Sequence, residues 1–401
     1  YKSLEALGVA CIVAVARIQP VRMPAMKNIF SSLFALTLSF NVFAEGSSGP
    51  PTATQAFLEN PQKGGLKLNG AGVMHASSQG LLLVAENGGS LVAIDTGHTG
   101  KFSPVKPVAN LGAKAAGAIG ATPDKITIND LKANPETGAL YISVRRSDGI
   151  STILTLSASG KLDTLETDNL NWVRIKLSEK LKISRISGIG FFGGRVLAAG
   201  QSNDAFRSKI FSIPAPITHG STAAVFSTDT YHVAHGRWET KAPIQSFIMT
   251  QEAGTPYLVG AFACTPIAKF PIANLQDGAQ VKGASVLELG SGNRPLDMFT
   301  YQSGGKQWLV THTQRFKAAF SYTPSKYWAA RIDMKHITAS GEAKTNQKAY
   351  RRDQKMAKDP KGVEVLEELH GAVQVDAYGK QQAVLLREVK GALNLDVVKL
   401  P

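Results

Sequence analysis

The chain has 401 residues, of which 43% are hydrophobic, and its formal net charge at neutral pH is +14. A chain of this length buries a sizeable core. Its two cysteines, Cys11 and Cys264, do not suffice for a disulfide framework once Cys11 is removed with a leader. The basic charge favours anionic partners, and the absence of a nucleic-acid-binding motif argues against nucleic acid.

The N-terminal region predicts export. Residues 1–25 are expected to be a non-native upstream segment, and residues 26–44 fit a cleavable signal peptide. Lys27 supplies the positive charge and Ile29–Phe43 supplies the apolar stretch, with small residues at the cleavage site. An earlier apolar run, Leu7–Ala16, is the alternative signal. The apolar stretch is too short and Ser-rich to span a bilayer, so we expect a periplasmic or secreted protein without a membrane span.

A Ser/Pro/Gly-rich segment, residues 45–61, is predicted to be a linker. From residue 62 onwards one phrase recurs about every 60 residues: an apolar strand, a Gly-rich turn, a second strand and a polar tip. The clearest copies are Ile126–Val144, Ile186–Gly200, Ile244–Phe262 and Pro295–His312, and weaker ones are Val73–Asp95 and Ala372–Val398. This period predicts an all-β β-propeller over residues 62–401.

The spacing of the second strands predicts six blades. These strands are expected to begin near Leu81, Leu140, Phe191, Tyr257, Trp308 and Ala383. A seventh blade stays open as an alternative if Ile217–His235 forms part of one. We expect the ring to close when Asn394–Lys399 pairs beside an early strand, so that the two termini share a blade. The basic stretch 343–361 interrupts the repeat, either as a solvated loop or as a docking surface for an anionic partner.

In a propeller the loops that enter the inner strands and the tips of the second strands meet at one mouth of the channel. A site on loops held by a rigid scaffold is the usual arrangement. The candidate ligand-binding residues are His232, His235, Arg237, Glu239, Arg294, Asp297, Arg145, His312 and Arg315.

Most of these candidates lie in two stretches, Tyr231–Lys241 and Asn293–Met298. His232 and His235 are spaced to bind one copper or zinc ion, with Cys264 or His312 as a further ligand; ligand hydrogen bonding and structural packing are the alternatives. Cys264 is otherwise expected to be a buried structural thiol. Arg294 is suited to a bidentate contact with a carboxylate or phosphate, or else to an ion pair with Asp297 that locks adjacent blades.

The stretch Asn129–Leu131, followed by Asn134–Gly138, resembles the inner-strand phrase of six-bladed gluconolactonase-like and strictosidine-synthase-like propellers. That resemblance implies a lactonase-like hydrolase in which channel carboxylates and amides hold a divalent cation such as calcium. The residues that would correspond to the ligands of that cation are Asp130, Asn203, Asp204 and Asp297.

Three phrases, HGRWETKAP, ACTPIAKFP and GNRPLDM, are similar to a group of uncharacterised exported bacterial propeller proteins. This resemblance implies the fold and export but no activity. The sequence as a whole therefore predicts an exported binding module for an anionic small molecule or a protein partner. The alternatives are a metal-dependent hydrolase and a copper or zinc site built from His and Cys.

Overall fold

Six β-sheets form blades around one axis in the computed structural model, and in each blade successive strands lie progressively farther from a central channel. The structure describes residues 52–263, 266–290, 292–315, 325–338, 350–351 and 361–401. The six-bladed propeller predicted from the repeat is therefore confirmed.

The strands are β1 (Gln62–Lys63), β2 (Met74–Ala76), β3 (Leu81–Ala85), β4 (Ser90–Asp95), β5 (Ile126–Ala133), β6 (Leu140–Arg146), β7 (Ser151–Leu156), β8 (Leu162–Thr164), β9 (Asn171–Lys176), β10 (Ile183–Phe192), β11 (Arg195–Ser202), β12 (Ser208–Pro214), β13 (Ala224–His232) and β14 (Arg237–Glu239). They continue with β15 (Ile244–Glu252), β16 (Thr255–Phe262), β17 (Pro266–Pro271), β18 (Gln280–Lys282), β19 (Ala284–Glu288), β20 (Asn293–Ser303), β21 (Lys306–Arg315), β22 (Tyr327–Asp333), β23 (Tyr350–Arg351), β24 (Val363–Val365), β25 (Ala372–Tyr378), β26 (Gln382–Val389) and β27 (Ala392–Lys399).

Each blade begins at the channel with its inner strand and is antiparallel, except that β18 and β23 pair in parallel with their neighbours β13 and β19. Blade 1 contains β2, β3, β4, β9 and β1 in that order, and blade 2 contains β5 to β8. Blade 3 contains β10 to β14, with β18 added in parallel to β13. Blade 4 contains β15, β16, β17, β19 and β23, blade 5 contains β20, β21, β22 and β24, and blade 6 contains β25 to β27.

Helices are few in the described residues. They are α1 (Ala53–Phe57), α2 (Leu111–Ala118) and α3 (Lys335–Thr338), with single 3-10 turns at Ser78–Gly80, Asn87–Gly89, Pro123–Lys125, Ile272–Asn274 and Glu367–Leu369. None of the helices in this part of the chain combines the length and the apolar character needed to cross a bilayer.

The observed second strands are β3, β6, β11, β16, β21 and β26, and five of the six predicted markers lie in them. The marker at Phe191 lies at the end of the inner strand β10, just before β11 begins at Arg195. The segment Ile217–His235, which left a seventh blade open, contains β13, the fourth strand of blade 3. Six blades therefore account for the repeat.

The chain does not place the blades in their order around the ring. After β4 it leaves blade 1, builds all of blade 2, and returns to add β9 to blade 1. The order around the axis is consequently 2, 1, 3, 4, 5, 6, and blade 6 contacts blade 2. A separate apolar core fills each of the six junctions between neighbouring blades, which is how every sheet buries both of its faces.

Ring closure brings the C-terminal strand against an early segment. Leu395 of β27 forms an antiparallel bridge with Val108. The hydroxyl of Tyr378 accepts the N–H of Val105 at 2.7 Å and donates to the carbonyl of Gly138 at 2.9 Å. The first described strand, β1, pairs with β9 in blade 1, whereas the last strand, β27, belongs to blade 6. The expectation that these two strands share a blade is therefore wrong.

The end of the predicted linker is structured. Helix α1 is capped by the side chain of Thr52, which accepts the N–H of Gln55, and Ala53 is fully buried between blades 1 and 3. The upstream segment 1–25, the signal peptide 26–44 and residues 45–51 lie outside the described residues. So do Cys264 and most of the basic stretch 343–361.

Candidate functional site

β-Bulges near the starts of the inner strands aim polar side chains at the channel mouth. An extra residue interrupts the pairing of five inner strands, and bulges of this kind re-aim the side chains beside them. The register shifts fall between Ile128 and Asp130, Ile186 and Gly188, Ile244 and Ser246, Pro295 and Met298, and Ala372 and Gln374.

Three aspartates from three blades surround one lysine in the channel. The Nζ atom of Lys132 lies 3.6 Å from Asp130, 4.0 Å from Asp297 and 3.7 Å from Asp376. All four side chains are largely buried, with at most 18% of the side chain exposed. The ammonium group occupies the space between the carboxylates, where a bound cation would have to lie.

Each of these aspartates also bonds to the backbone of the neighbouring inner strand. Asp130 accepts the N–H of Met74 in blade 1 at 2.7 Å, and Asp376 accepts the N–H of Ala133 in blade 2 at 2.9 Å. Asp297 accepts a backbone hydrogen bond from Val375 in blade 6. The three carboxylates therefore lock adjacent blades together as well as lining the channel.

The pKa values of the three carboxyl groups shift in different directions because their surroundings differ. Burial raises the pKa of Asp130 to about 7 although Lys132 acts against it, and burial likewise raises the pKa of Asp376. For Asp297, a hydrogen bond with His312 and the charge of Lys132 outweigh burial and lower the pKa. Burial acts to lower the pKa of Lys132, but the three carboxylates prevail and raise it.

His312 is fully buried and supports Asp297 from the second strand of blade 5. Its Nε2 atom lies 2.8 Å from the carbonyl oxygen of Ala372, so Nε2 carries a proton and donates it to that bond. Its Nδ1 atom lies 3.1 Å from Asp297, which requires a further proton between those two groups. His312 therefore positions an aspartate and does not face a ligand.

The channel holds a cavity of about 420 Å³. Lys132, Asp130, Asp297 and Asp376 form part of its wall, and residues such as Phe247, Met249 and Met298 give it an apolar side. A second cavity of about 400 Å³ lies beside the mouth and is lined by Arg145, Glu86 and Asn87. Arg185 lines both cavities, and Arg294 lines the first.

Two arginines at the mouth, Arg185 and Arg294, are exposed. Both line the channel cavity. The pKa of Arg185 is lowered by burial and then by the positive charge of Arg294, while the charges of Asp297 and Asp130 act in the opposite direction. The Nε atom of Arg294 donates a long hydrogen bond of 3.4 Å to Gln245. Among the described residues, neither arginine forms an ion pair within 4.0 Å. The same holds for Arg145, which is exposed at the end of β6.

The His-rich stretch forms a separate cluster at the outer edge of blade 3, on β13, β14 and the turn between them. Glu239 lies 2.5 Å from Nδ1 of His235 and 3.4 Å from Nδ1 of His232, and the exposed Arg237 lies 3.3 Å from Glu239. None of these four residues lines the channel cavity. The structure thus brings the predicted residues of this stretch together, but away from the channel mouth.

The other candidates are dispersed. Asp204 is held within its own turn by Ser202 and by an ion pair of 2.9 Å with Lys209, and Asn203 is exposed beside it. Arg315 is 8% exposed and stacks over the ring of Trp328 at 3.9 Å. Cys264 lies outside the described residues.

The oxygen-ligand site expected from the lactonase resemblance does not fit this channel. Asp130 and Asp297 lie together there, but Asn203 and Asp204 belong to a surface turn. A divalent cation needs six to eight oxygen ligands if it is calcium, and here the ammonium group of Lys132 fills the space between the carboxylates.

Four residues that line the channel cavity were not among the predicted site residues: Lys132, Asp376, Arg185 and His75. Burial, with the charge of Lys132 in addition, lowers the pKa of His75 to about 4, so this histidine is neutral. Asp376 had a detectable signal, because Asp130, Asp297 and Asp376 each precede an apolar residue near the bulge of an inner strand. Aligning the blades on that aspartate would have found it.

Comparison with known proteins gives no family. No protein-family model and no curated protein matches the chain. Among solved structures it is similar to Chaetomium thermophilum Raptor, with 12% identity and a TM-score of 0.33 over 85% of this chain and 30% of that one. It is also similar to Bacteroides ovatus xyloglucan PUL GH43B, with 11% identity and a TM-score of 0.32 over 69% of this chain and 51% of that one. The chain thus spans about a third to a half of these proteins, and its fold rests on its own six sheets.

Proposed function

We propose that this propeller is a binding module for an anionic small molecule, which it holds at the channel mouth between Arg185 and Arg294. The observation that carries the proposal is that Arg185 and Arg294 are both exposed, line the same cavity and form no ion pair within 4.0 Å among the described residues. Two like charges held together destabilise each other, and a bound anion relieves that repulsion. Guanidinium groups bind carboxylate and phosphate oxygens in a bidentate manner.

The cavity behind the arginines indicates what else the ligand contains. Its volume of about 420 Å³ lies within the usual range for small-molecule sites. Its wall combines the apolar residues Phe247 and Met249 with the polar groups Gln245 and Ser246. These features support a ligand that has a carboxylate or phosphate group and a compact, partly apolar body.

The proposed setting is outside the cytoplasm. The pattern of residues 26–44, with Lys27 ahead of an apolar stretch, supports export by a cleavable leader. The net charge of +14 supports a preference for anionic ligands in that setting.

The test is calorimetric titration of the full-length protein with inorganic phosphate and with succinate. Reversing both charges, Arg185→Glu with Arg294→Glu, should weaken binding at least about tenfold, because hydrogen bonds to charged groups contribute about 1.5–3 kcal/mol each. The matched control, Arg195→Glu with Lys380→Glu, changes the net charge equally at two inner hairpin turns that line neither cavity and should leave binding intact. The proposal fails if the wild type binds neither anion or if the double variant at the mouth binds them as well as the wild type does.

A further inference from the structure

The cluster at the outer edge of blade 3 has the composition of a transition-metal site. One ligand atom from each of His232, His235 and Glu239 lies within 4.8 Å of the others. The two imidazole rings are stacked edge to face with centroids 3.9 Å apart. Two nitrogens and one carboxylate oxygen are donors that Zn²⁺ accepts, typically with a fourth position left to water or another ligand.

His232 supplies an independent sign that a cation belongs here. It is 5% exposed, and among the described residues its Nδ1 atom has no hydrogen-bond partner. Buried polar atoms without partners are rare in folded proteins. Oε2 of Glu239 lies 3.4 Å away but does not form a hydrogen bond with it. A distance of about 3.4 Å matches the edge of a tetrahedron whose metal–ligand bonds are about 2.1 Å long.

Glu288 fixes the orientation of this histidine from blade 4. Its carboxylate accepts the N–H groups of Val233 and Ala234, at 2.5 and 3.3 Å, and so holds the turn that follows β13. Its Oε1 atom also lies 3.5 Å from Nε2 of His232. A carboxylate facing one ring nitrogen keeps the proton there, which leaves the lone pair of Nδ1 directed at Glu239.

We propose that His232, His235 and Glu239 bind one Zn²⁺ ion at the outer edge of blade 3, with Glu288 as the residue that positions His232. The ion takes the space between Nδ1 of His232 and the Glu239 carboxylate, where two electron-rich atoms now face each other. His235 is half exposed, so the fourth position opens to solvent. Arg237 pairs with the same carboxylate but is 72% exposed and can turn away.

The test is a competition titration of chelator-treated, full-length protein with Zn²⁺ against a chromogenic chelator. The wild type should bind one equivalent. His235→Ala and Glu239→Gln should each weaken binding at least tenfold, and Glu288→Gln should weaken it about 10- to 100-fold. His235 is exposed, so its variant keeps the fold even if changes at the buried His232 do not. Replacing Zn²⁺ with Co²⁺ should give the intense visible absorption of a tetrahedral site in the wild type and not in Glu239→Gln.

Two controls separate this site from other histidine and cysteine chemistry. His219→Ala removes an imidazole elsewhere on blade 3, and Cys264→Ser removes the thiol; both should bind Zn²⁺ as the wild type does. The proposal is overturned if the wild type binds no Zn²⁺, or if His219→Ala weakens binding as much as His235→Ala. It is also overturned if Cys264→Ser abolishes binding while Glu239→Gln retains it.

Discussion

At the residue scale, Lys132 balances three aspartates that belong to three different blades. The carboxylates respond differently to this shared charge because their other partners differ. Asp297 has His312 as a second source of stabilisation. Among the described residues, Asp130 has only backbone N–H groups besides Lys132, and it is 2% exposed. Burial therefore dominates at Asp130, and its ionisation works against the folded state.

This difference predicts a pH dependence of stability. Because the pKa of Asp130 is raised to about 7 from the usual carboxyl value of about 3.9, the folded state binds the proton more tightly than the unfolded state does. The contribution of this group is complete below about pH 4 and is lost as the pH rises towards 7. In Asp130→Asn the free energy of unfolding should therefore fall less steeply over that window.

Urea unfolding at several pH values between about 4 and 7 measures that slope. The amide at position 130 still accepts the Met74 N–H through its oxygen, so the blade contact is kept. Asp168→Asn, at an exposed carboxyl group, serves as the control and should leave the slope unchanged. Equal slopes for wild type and Asp130→Asn would contradict the assignment of a raised pKa to this carboxyl group.

At the scale of single elements, the inner strands of blades 3 and 4 approach each other closely at Gly188. A Cβ atom there would lie 2.9 Å from the ring of Phe247, which is 7% exposed and packed in the core between these blades. Gly188→Ala should therefore lower the free energy of unfolding by about 1–3 kcal/mol through overpacking.

Chemical denaturation checks this prediction, with Gly117→Ala as the matched control. Gly117 is exposed in α2, and no described atom lies within 4 Å of the position its Cβ would take. That change should stabilise the protein by about 0.4–1 kcal/mol because it restricts the unfolded chain. If both substitutions stabilise the protein, the close approach at Gly188 is incorrect.

Elements were predictable where their signals are local. The hairpins of the inner two strands combine apolar runs with Gly-rich turns, and β6 begins at the predicted Leu140. The return of β9 to blade 1 was not predictable, because pairing between residues 90–95 and 171–176 leaves no local mark in the sequence.

The site was predictable only in part for a related reason. The C-terminal end of β13 lies at the same end of its blade as the starts of the inner strands. The sequence pattern therefore predicts the end of the propeller at which a residue lies, but not its distance from the axis. Asp130, Asp297 and Arg294 were correctly placed at the channel, whereas His232 and Glu239 lie on outer strands. The contact between Lys132 and Asp376 could not be predicted without knowing how the ring closes, because blades 2 and 6 are far apart in sequence and adjacent in space.

At the scale of the whole molecule, stability depends on closing the ring between blades 6 and 2. A core that includes Leu131, Leu154, Tyr378 and Leu395 fills this junction, and Asp376 adds its bond to the backbone of blade 2. With the junction open, blades 2 and 6 would each expose one apolar face. The six blades should therefore unfold together, unlike the units of an open repeat array.

Tyr378→Phe tests that cooperativity. The change removes the acceptor for the Val105 N–H and the donor to the Gly138 carbonyl while keeping the ring in the core, so it should cost about 1–3 kcal/mol. Unfolding followed by far-UV circular dichroism and by tryptophan fluorescence should show one coincident transition at lower denaturant. Tyr257→Phe is the control, since the Tyr257 hydroxyl makes no hydrogen bond among the described residues. A separate early transition would mean that blade 6 opens alone and that closure does not hold the ring together.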